Sequence, residues 1–187
     1  MQEIVRTERL RLRHFEPDDA ADIQKLANNW NVARMLGRMP YPYPDGAAAQ
    51  WIATHDRARA DGSSYPLAVE FDGGLVGSVG LHVQDNGDHE LGYWIGEPYW
   101  NRGFATEAAG ALIDYAFDTL GLPGLVAGHF AENHASGRVL TKLGFRYTDE
   151  GYRWCEARQR TLISLAMKRE RQAEARVAAK VAVGSRR

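Results

Sequence analysis

The spacing of hydrophobic and polar residues along the chain predicts a mixed α/β domain. From Arg9 to Phe15 apolar and charged residues alternate with a period of two, which indicates a strand that buries Leu10 and Leu12. The tripeptide Asp72-Gly73-Gly74 is typical of a tight turn and predicts a hairpin between the two apolar runs beside it. Asp45 is well placed to cap the third predicted helix. The other periodic segments predict helices over residues 17–28, 32–36, 45–60, 103–119 and 135–143, and strands over residues 65–71, 75–84, 89–96, 125–131, 145–152 and 161–168.

Composition is that of one globular domain. The 187 residues are 44% hydrophobic and have a formal net charge of -1, which is too apolar for a disordered chain and too weakly basic for a dedicated DNA-binding protein. No apolar stretch approaches the roughly 20 residues of a membrane span, and the N-terminus lacks the hydrophobic core of a signal peptide. The single cysteine, Cys155, excludes an intrachain disulfide and a cysteine-based zinc cluster. We therefore expect a soluble cytoplasmic protein that binds neither DNA nor a membrane.

Charge is distributed unevenly along the chain. Residues Lys168 to Arg187 include seven basic and two acidic side chains, whereas the rest of the chain has an acidic excess. We expect residues 1–168 to form the folded domain and residues 169–187 to form a basic, alanine-rich tail. The tail pattern favours a solvated or frayed terminal helix, and an arm that contacts RNA or a ribosome is the alternative.

The stretch from Trp100 to Thr106 has the features of an anion-binding site. It lies where a predicted strand ends and a long helix begins, so the free N–H groups of the first helical turn point in one direction. Gly103 permits close approach of a ligand, Thr106 adds a hydroxyl donor, and Arg102 adds a positive charge. A diphosphate would fit this environment. The alternative is that Gly103 serves only as a tight turn between strand and helix.

These residues resemble the acyl-CoA signature of the GNAT acetyltransferase superfamily, Gln/Arg-x-x-Gly-x-Gly/Ala after a β-bulged strand. Trp100-Asn101-Arg102-Gly103-Phe104-Ala105 fits this signature except at its first position, which is Trp100. A second family motif is similar to Asn133-His134-Ala135-Ser136-Gly137-Arg138-Val139-Leu140-Thr141-Lys142-Leu143-Gly144-Phe145. The opening Thr7-Glu8-Arg9-Leu10-Arg11-Leu12-Arg13 resembles the RimJ/RimL branch of ribosomal-protein N-acetyltransferases, where an aromatic residue at the first signature position is common. The resemblance extends from about Thr7 to Lys168.

The resemblance implies a single GNAT fold of the α/β (α+β) class. Its mixed, mostly antiparallel sheet of six to seven strands, flanked by helices, would splay in a V between the central strands at residues 89–96 and 125–131. It also implies acetyl-CoA as the cosubstrate and an amine as the acceptor. Backbone groups of the bulged strand would pair with the pantetheine arm, and the start of the long helix would hold the diphosphate. The cofactor-binding residues implied in this way are Tyr93, Trp94, Ile95, Arg102, Gly103, Phe104, Ala105, Thr106 and Asn133.

The reaction that the family implies is direct attack of a neutral amine on the acetyl thioester. Members of this branch place a serine three residues after the asparagine of the second motif, which makes Ser136 the predicted proton donor to the departing thiolate. Ser136 is also suited to cap the helix that begins near Ala135. Asn133 either caps the same helix or contacts the pantetheine amide or a bridging water.

Glu90 is the first candidate for the base that deprotonates the amine. The period of a strand places it on the same face as Trp94, toward the proposed V, where it would accept a proton through water. The alternative is that Glu90 pairs with an arginine or a cross-strand partner. Glu156, in the loop before the last strand, is a second candidate. The six histidines have no metal-ligand spacing, so no metal is expected.

The motifs leave the acceptor open. A protein N-terminal α-amine and a small amine fit them equally, and a CoA-binding regulatory domain without catalysis is the alternative from another class. A homodimer is also left open. Aromatic and methionine residues before the hairpin either belong to the core or line an acceptor groove; they are Trp30, Met35, Met39, Tyr41, Tyr43 and Trp51.

Overall fold

The computed structural model describes residues 3–171, which form one sheet with helices on both faces. The helices are α1 (Asp19–Ala27), α2 (Trp30–Ala33), α3 (Ala47–Ala53), α4 (His55–Ala60), α5 (Phe104–Asp118) and α6 (His134–Lys142), with single 3-10 turns at Glu97–Tyr99 and Glu156–Arg158. The strands are β1 (Glu3–Arg6), β2 (Leu10–Arg13), β3 (Ser64–Phe71), β4 (Gly74–Val83), β5 (His89–Ile95), β6 (Gly124–Phe130), β7 (Arg146–Cys155) and β8 (Arg160–Glu170).

The sheet has eight strands in the order β1-β2-β3-β4-β5-β6-β8-β7. Every neighbouring pair is antiparallel except β5 and β6, which are parallel and have a single pair of register partners, Glu90 and Val126, within the described residues. Beyond that pair the two strands diverge toward the carboxyl end of β5. The mixed, mostly antiparallel sheet with a central splay is therefore confirmed.

The eighth strand, β1, was not predicted from the sequence pattern. It has only four residues, and its pairing with β2 is irregular between Glu3 and Val5. A short edge strand of this kind has no clear period of two. It raises the number of strands above the six to seven that the resemblance implies.

The core lies on both faces of the sheet. On one face α5 buries residues at intervals of three and four, including Phe104, Leu112 and Ile113, against the central strands. On the other face α1 and α3 pack through a smaller apolar cluster that includes Ile23 and Ala48. Where β5 and β6 diverge, the edge of β5 that faces β6 is not paired, and it lies between these two helical layers.

A buried ion network joins β2 and β3 to the first helix. The Arg13 guanidinium donates to both oxygens of Asp19 at 2.7 and 2.8 Å and to Glu70 at 2.7 Å. All three residues are buried. The hydrogen bonds that Arg13 donates to Asp19 and Glu70 raise the pKa of Arg13 despite the opposing effect of burial, so the guanidinium stays charged.

Two local predictions need correction, and one lies partly outside the structure. The predicted Asp45 cap is wrong, because the N-cap of α3 is Gly46 in the left-handed region (φ 76°), with no side-chain hydrogen bond. The single helix predicted over residues 45–60 is divided into α3 and α4 at Thr54. Strand β8 continues to Glu170, past the predicted tail boundary at Lys168, and residues 172–187 of that tail lie outside the described residues. No helix within residues 3–171 has the length and apolar character of a membrane span.

Candidate active site

A cleft of about 1590 Å³ opens where β5 and β6 diverge. It extends from the N-terminus of α5, past the N-terminus of α6, to the segment that follows α2. Small-ligand pockets usually measure about 300–1,000 Å³, so this cleft has room for a cofactor and an acceptor together.

The N-terminus of α5 forms the anion-binding end of the cleft. Gly103 adopts the left-handed region at φ 79° as the N-cap of α5, and its carbonyl accepts from Glu107 N–H at 3.0 Å. The N–H groups of Phe104, Ala105 and Thr106 have no acceptor among the described residues, as helix geometry requires for the first turn. The Phe104 side chain is buried in the core, so its backbone alone is available to a ligand. The turn is therefore built as a set of N–H donors at the positive end of a helix dipole.

Two arginines flank this turn. Arg102 lies over the rings of Phe71 and Phe104, with its guanidinium carbon 4.7 Å from each centroid. Arg9 donates to the Arg102 carbonyl at 2.9 Å and pairs with Glu107 at 2.6 Å. Hydrogen bonds from Thr7 and Arg9 lower the pKa of the Glu107 carboxyl, although its burial acts in the opposite sense. Arg9 was not among the predicted site residues, because its distance of about one hundred residues from Glu107 along the chain hides the contact.

Helix α6 adds two further cations to the lining of the cleft. Arg138 and Lys142 are four residues apart, so they share one face of the helix. Both are exposed and line the cleft. Neither has an ion pair among the described residues, which leaves both charges available to an anionic ligand.

The free edge of β5 forms the floor of the cleft. Gly96 N–H donates to Val76 O at 2.9 Å, and alternation along an antiparallel pair then directs the backbone groups of Trp94 to β4 and those of Tyr93 into the cleft. Pairing with a pantetheine arm was predicted for the backbone of Tyr93, Trp94 and Ile95. The alternation leaves Tyr93 and Ile95 directed away from β4, whereas the Trp94 backbone is used in pairing with β4. The Ile95 carbonyl already accepts from the Trp100 indole N–H at 2.6 Å.

The bulge expected in this strand is absent. Strand β5 pairs with β4 in unbroken register from His89 to Ile95. Its free edge results from the divergence of β6 rather than from a local irregularity.

Ser136 and Tyr93 face each other across the cleft. Their hydroxyl oxygens lie 2.9 Å apart, and the Tyr93 hydroxyl also lies 3.3 Å from the Ser136 carbonyl. Burial raises the pKa of Tyr93 to about 12, while the bond to Ser136 lowers it to a smaller extent, so the phenol remains protonated. Asn133 is the N-cap of α6, and its Oδ1 accepts from Ser136 N–H at 3.1 Å. Asn133 is thus the cap, which leaves the Ser136 hydroxyl directed at Tyr93.

Glu90 lines the cleft in an ion pair. One carboxylate oxygen accepts from Arg153 at 2.7 Å and the other from Gln84 at 2.8 Å. The structure therefore contains the alternative in which Glu90 pairs with an arginine, Arg153. Glu156 is absent from the residues that line the cleft, and its carboxylate accepts from Trp154 and Gln159.

The far end of the cleft has an apolar wall. Met35, Met39, Tyr43 and Trp51 line it, and Met39, Tyr43 and Trp51 also pack against the smaller apolar cluster, so these three belong both to the lining and to the edge of the core. Trp30 and Tyr41 are absent from the lining and pack on each other with ring centroids 5.3 Å apart. The apolar wall is joined by the rings of Trp94 and Trp154.

Comparison with known proteins identifies the family. The sequence model described as "Acetyltransferase (GNAT) domain" matches residues 9–146. The chain belongs to the GNAT acetyltransferase family. Among curated GNAT relatives, the uncharacterized N-acetyltransferase YoaA of Bacillus subtilis is 31% identical over 148 residues, which cover 76% of this chain and 82% of YoaA. The family assignment makes acetyl-CoA the cosubstrate, as the sequence motifs imply, and makes this GNAT protein an N-acetyltransferase.

Solved GNAT structures share the fold. RimL, a ribosomal L7/L12 alpha-N-protein acetyltransferase solved with coenzyme A, superposes with a TM-score of 0.80 at 15% identity and covers 92% of this chain and 100% of RimL. Spermidine N-acetyltransferase from Vibrio cholerae, solved with CoA and spermine, superposes with a TM-score of 0.73 at 21% identity and covers 88% of this chain and 96% of its own. At these identities the two likenesses show the fold.

Sequence reasoning did not assign several groups that line or flank the cleft, among them Arg138 and Lys142 on α6. Arg9 reaches it from the turn before β2, Arg153 from β7, and His82 from β4 opposite Glu90. If the register of the β4–β5 hairpin had been predicted, the pairing of His82 with Glu90 would have placed both side chains on the same face of the sheet. Within residues 3–171 no cluster of His, Cys, Asp and Glu has the geometry of a metal site.

Proposed function

We propose that the protein transfers an acetyl group from acetyl-CoA to a primary amine in the β5–β6 cleft. One observation carries the proposal: the first-turn N–H groups of α5, which have no acceptor among the described residues, and the Ser136–Tyr93 hydroxyl pair line the same cleft along β5. In this arrangement α5 holds the diphosphate together with Arg102, and Arg138 and Lys142 attract the remaining phosphate charge. Tyr93 presents its backbone N–H and carbonyl to the pantetheine arm, and Ile95 presents its N–H, since the Ile95 carbonyl already accepts from Trp100.

The chemical step needs no covalent enzyme intermediate. The amine nitrogen attacks the thioester carbonyl, the new C–N bond forms, and the C–S bond breaks. Ser136 donates its hydroxyl proton to the departing thiolate. The protonated Tyr93 phenol, 2.9 Å away, supplies a hydrogen bond that stabilises the resulting oxygen charge. The proton that the nitrogen loses as the amide forms restores the Ser136 hydroxyl, so Tyr93 stays protonated.

The acceptor proposed is a protein N-terminal α-amine. An α-amine has a pKa near 8, so about a tenth is already neutral at pH 7 and a weak base suffices. The RimL likeness and the cleft that is open to solvent beyond Met35 and Trp154 support an extended acceptor. A polyamine is the second candidate, because the spermidine enzyme with the same fold binds spermine.

Release of free thiol from acetyl-CoA tests the activity. The panel contains short peptides with free N-termini, amino acids, polyamines and aminoglycosides. Turnover with peptides supports the proposed acceptor, and turnover with polyamines alone supports the second candidate. CoA binding without turnover on any amine would favour a non-catalytic CoA-binding domain.

A charge placed at Gly103 tests the diphosphate site. Gly103→Glu introduces bulk and negative charge at the N–H donors of α5, and we expect loss of CoA binding in calorimetry. Gly121→Glu is the matched control, because Gly121 also has a positive φ (69°) and has open space around its Cβ position. If Gly103→Glu binds CoA as well as the control does, the diphosphate assignment is wrong.

Removal of one hydroxyl tests the acid. Ser136→Ala is expected to lower kcat by about 100-fold, within the usual range for a general acid, while the acetyl-CoA Kd stays within twofold of wild type. Ser63→Ala, an exposed hydroxyl away from the cleft, provides the control. Unchanged kcat in Ser136→Ala would transfer the acid role to water or another hydroxyl.

A further inference from the structure

We infer that His82, rather than Glu90, is the catalytic residue that accepts the proton of the acceptor ammonium group. The inference rests on the proposed function, since it assigns a step of acetyl transfer in the same cleft. His82 lies on β4 directly opposite Glu90 in the strand register, and its side chain lines the cleft.

The His82 ring is oriented by Ser64. The Nδ1 atom lies 2.8 Å from Ser64 Oγ, on the neighbouring strand β3. When Nδ1–H donates to this hydroxyl, the lone pair of Nε2 is left for a second partner. The contact therefore fixes both the direction of the ring and the nitrogen that faces the cleft.

The space beside Nε2 is open and adjoins the proposed thioester position. A Cβ placed on Gly92 would meet within 4 Å only Cδ2 and Nε2 of His82, at 3.6 and 3.7 Å. Gly92 immediately precedes Tyr93, whose hydroxyl bonds to Ser136. Successive residues of a strand face opposite sides, so the imidazole and the hydroxyl pair reach the cleft from opposite faces of β5, with no side chain from residue 92 in the way.

The surroundings of His82 keep its imidazole neutral at pH 7. Burial lowers its pKa below the usual value of 6.5, the Arg38 charge lowers it further, and the Glu90 charge acts in the opposite sense. A charge on His82 would in turn lower the pKa of His55 on α4. A neutral imidazole is the form that accepts a proton.

Glu90 is less suited to the same task. Both of its oxygens already accept hydrogen bonds, from Arg153 and from Gln84. In the ion pair Glu90 instead offsets the effect of Arg38 on His82.

The proton balance of the step is complete without another reactant. One proton of R–NH3+ passes to His82 Nε2, directly or through one water, and leaves from there to solvent. The neutral nitrogen attacks the thioester carbonyl, the C–N bond forms and the C–S bond breaks. The nitrogen loses its second proton as the amide forms, which equals the proton that the thiolate receives through Ser136.

The test compares His82→Gln with His89→Gln, a histidine on β5 that does not line the cleft. The measurement is kcat/KM against pH, with the panel amine that the wild-type enzyme acetylates fastest. We expect His82→Gln to lose about 100-fold at pH 7, to recover as the pH approaches the pKa of the amine, and to bind acetyl-CoA as wild type does. His89→Gln should keep the wild-type profile.

Two further variants separate the candidate bases. Ser64→Ala should reproduce part of the His82→Gln loss, because the ring is no longer held, and it serves if His82→Gln does not fold. If Glu90→Gln abolishes the acidic limb of the profile while His82→Gln keeps it, Glu90 is the base and the inference is wrong. Wild-type enzyme that acetylates no amine overturns the proposed function itself, whereas active enzyme with an unchanged His82→Gln profile overturns only the inference.

Discussion

A buried histidine should make the stability of this domain depend on pH. His55 is 3% exposed and packs edge-on against Phe15 and Trp51, with ring centroids 5.1 and 4.4 Å away. Neither ring nitrogen has a hydrogen-bond partner among the described residues. Burial, aided by the Arg59 charge, lowers the pKa of His55 from 6.5 to about 4. The folded protein therefore holds this histidine neutral where the unfolded chain would protonate it.

The sign and size of the effect follow from proton linkage. The pKa of His55 is lower in the folded than in the unfolded protein, so below pH 6.5 the unfolded chain binds a proton that the folded protein does not. The free energy of unfolding is therefore highest above pH 6.5 and decreases as the pH falls toward 4. At about 1.36 kcal/mol per pKa unit, the free energy of unfolding should decrease by about 2 kcal/mol between pH 7 and pH 5. The pKa values of His14 and His82 are lowered mainly by burial, so they add to the loss in the same direction.

Urea denaturation of wild type and His55→Phe at pH 7 and pH 5 tests this reasoning. The variant keeps the aromatic packing and removes both unpaired nitrogens, so it should be at least as stable at pH 7 and should lose about 2 kcal/mol less on acidification. His134→Gln, at an exposed position, should behave as wild type. If His55→Phe retains the full wild-type pH difference, then His55 is not the group responsible and the reasoning is refuted.

Three other substitutions test the frame around the site. Arg13→Met leaves the buried Asp19 carboxylate without its ion-pair partner, whereas Glu70 keeps Arg11, and should cost about 3–5 kcal/mol of unfolding free energy in urea. Glu107→Gln should speed amide hydrogen exchange at Arg9, because the carboxylate that holds this N–H at 2.9 Å loses its charge. Gly77→Ala should destabilise the β4–β5 pair strongly, since its Cβ would lie 2.2 Å from the Trp94 carbonyl. Soluble Gly77→Ala protein with wild-type thermal stability would contradict the last prediction.

Local patterns predicted the elements that position the site. The hairpin of β3 and β4, the strand β5 and the long helix α5 all have strong periodicity or turn residues, and Gly103 at φ 79° is where a glycine was needed. Local signals failed at chain ends and caps. Helix α3 begins after Gly46, which has a positive φ. The presence of Asp45, a residue type favoured at N-caps, wrongly indicated a start one residue earlier.

The chemistry of the cleft was less accessible from the sequence. Glu90 has the correct position but an ion-pair partner 63 residues away, and no periodicity reveals such a contact. His82 is an isolated histidine on a strand until the fold places Ser64 and Gly92 beside it. Asn133 illustrates the opposite case, because the preference of asparagine for N-caps already offered the role that the structure contains.

The placement of tryptophan gives the cleft an optical readout. Four of the five tryptophans line it, with Trp100 at the coenzyme end and Trp51 and Trp154 at the opposite end. Their indole emission responds to local polarity and to quenching by a stacked ligand. Coenzyme should therefore change the Trp100 signal first, and an acceptor should change the signals of the far wall. A Trp100→Phe variant would isolate the second change, so that acceptors can be screened by fluorescence without following turnover.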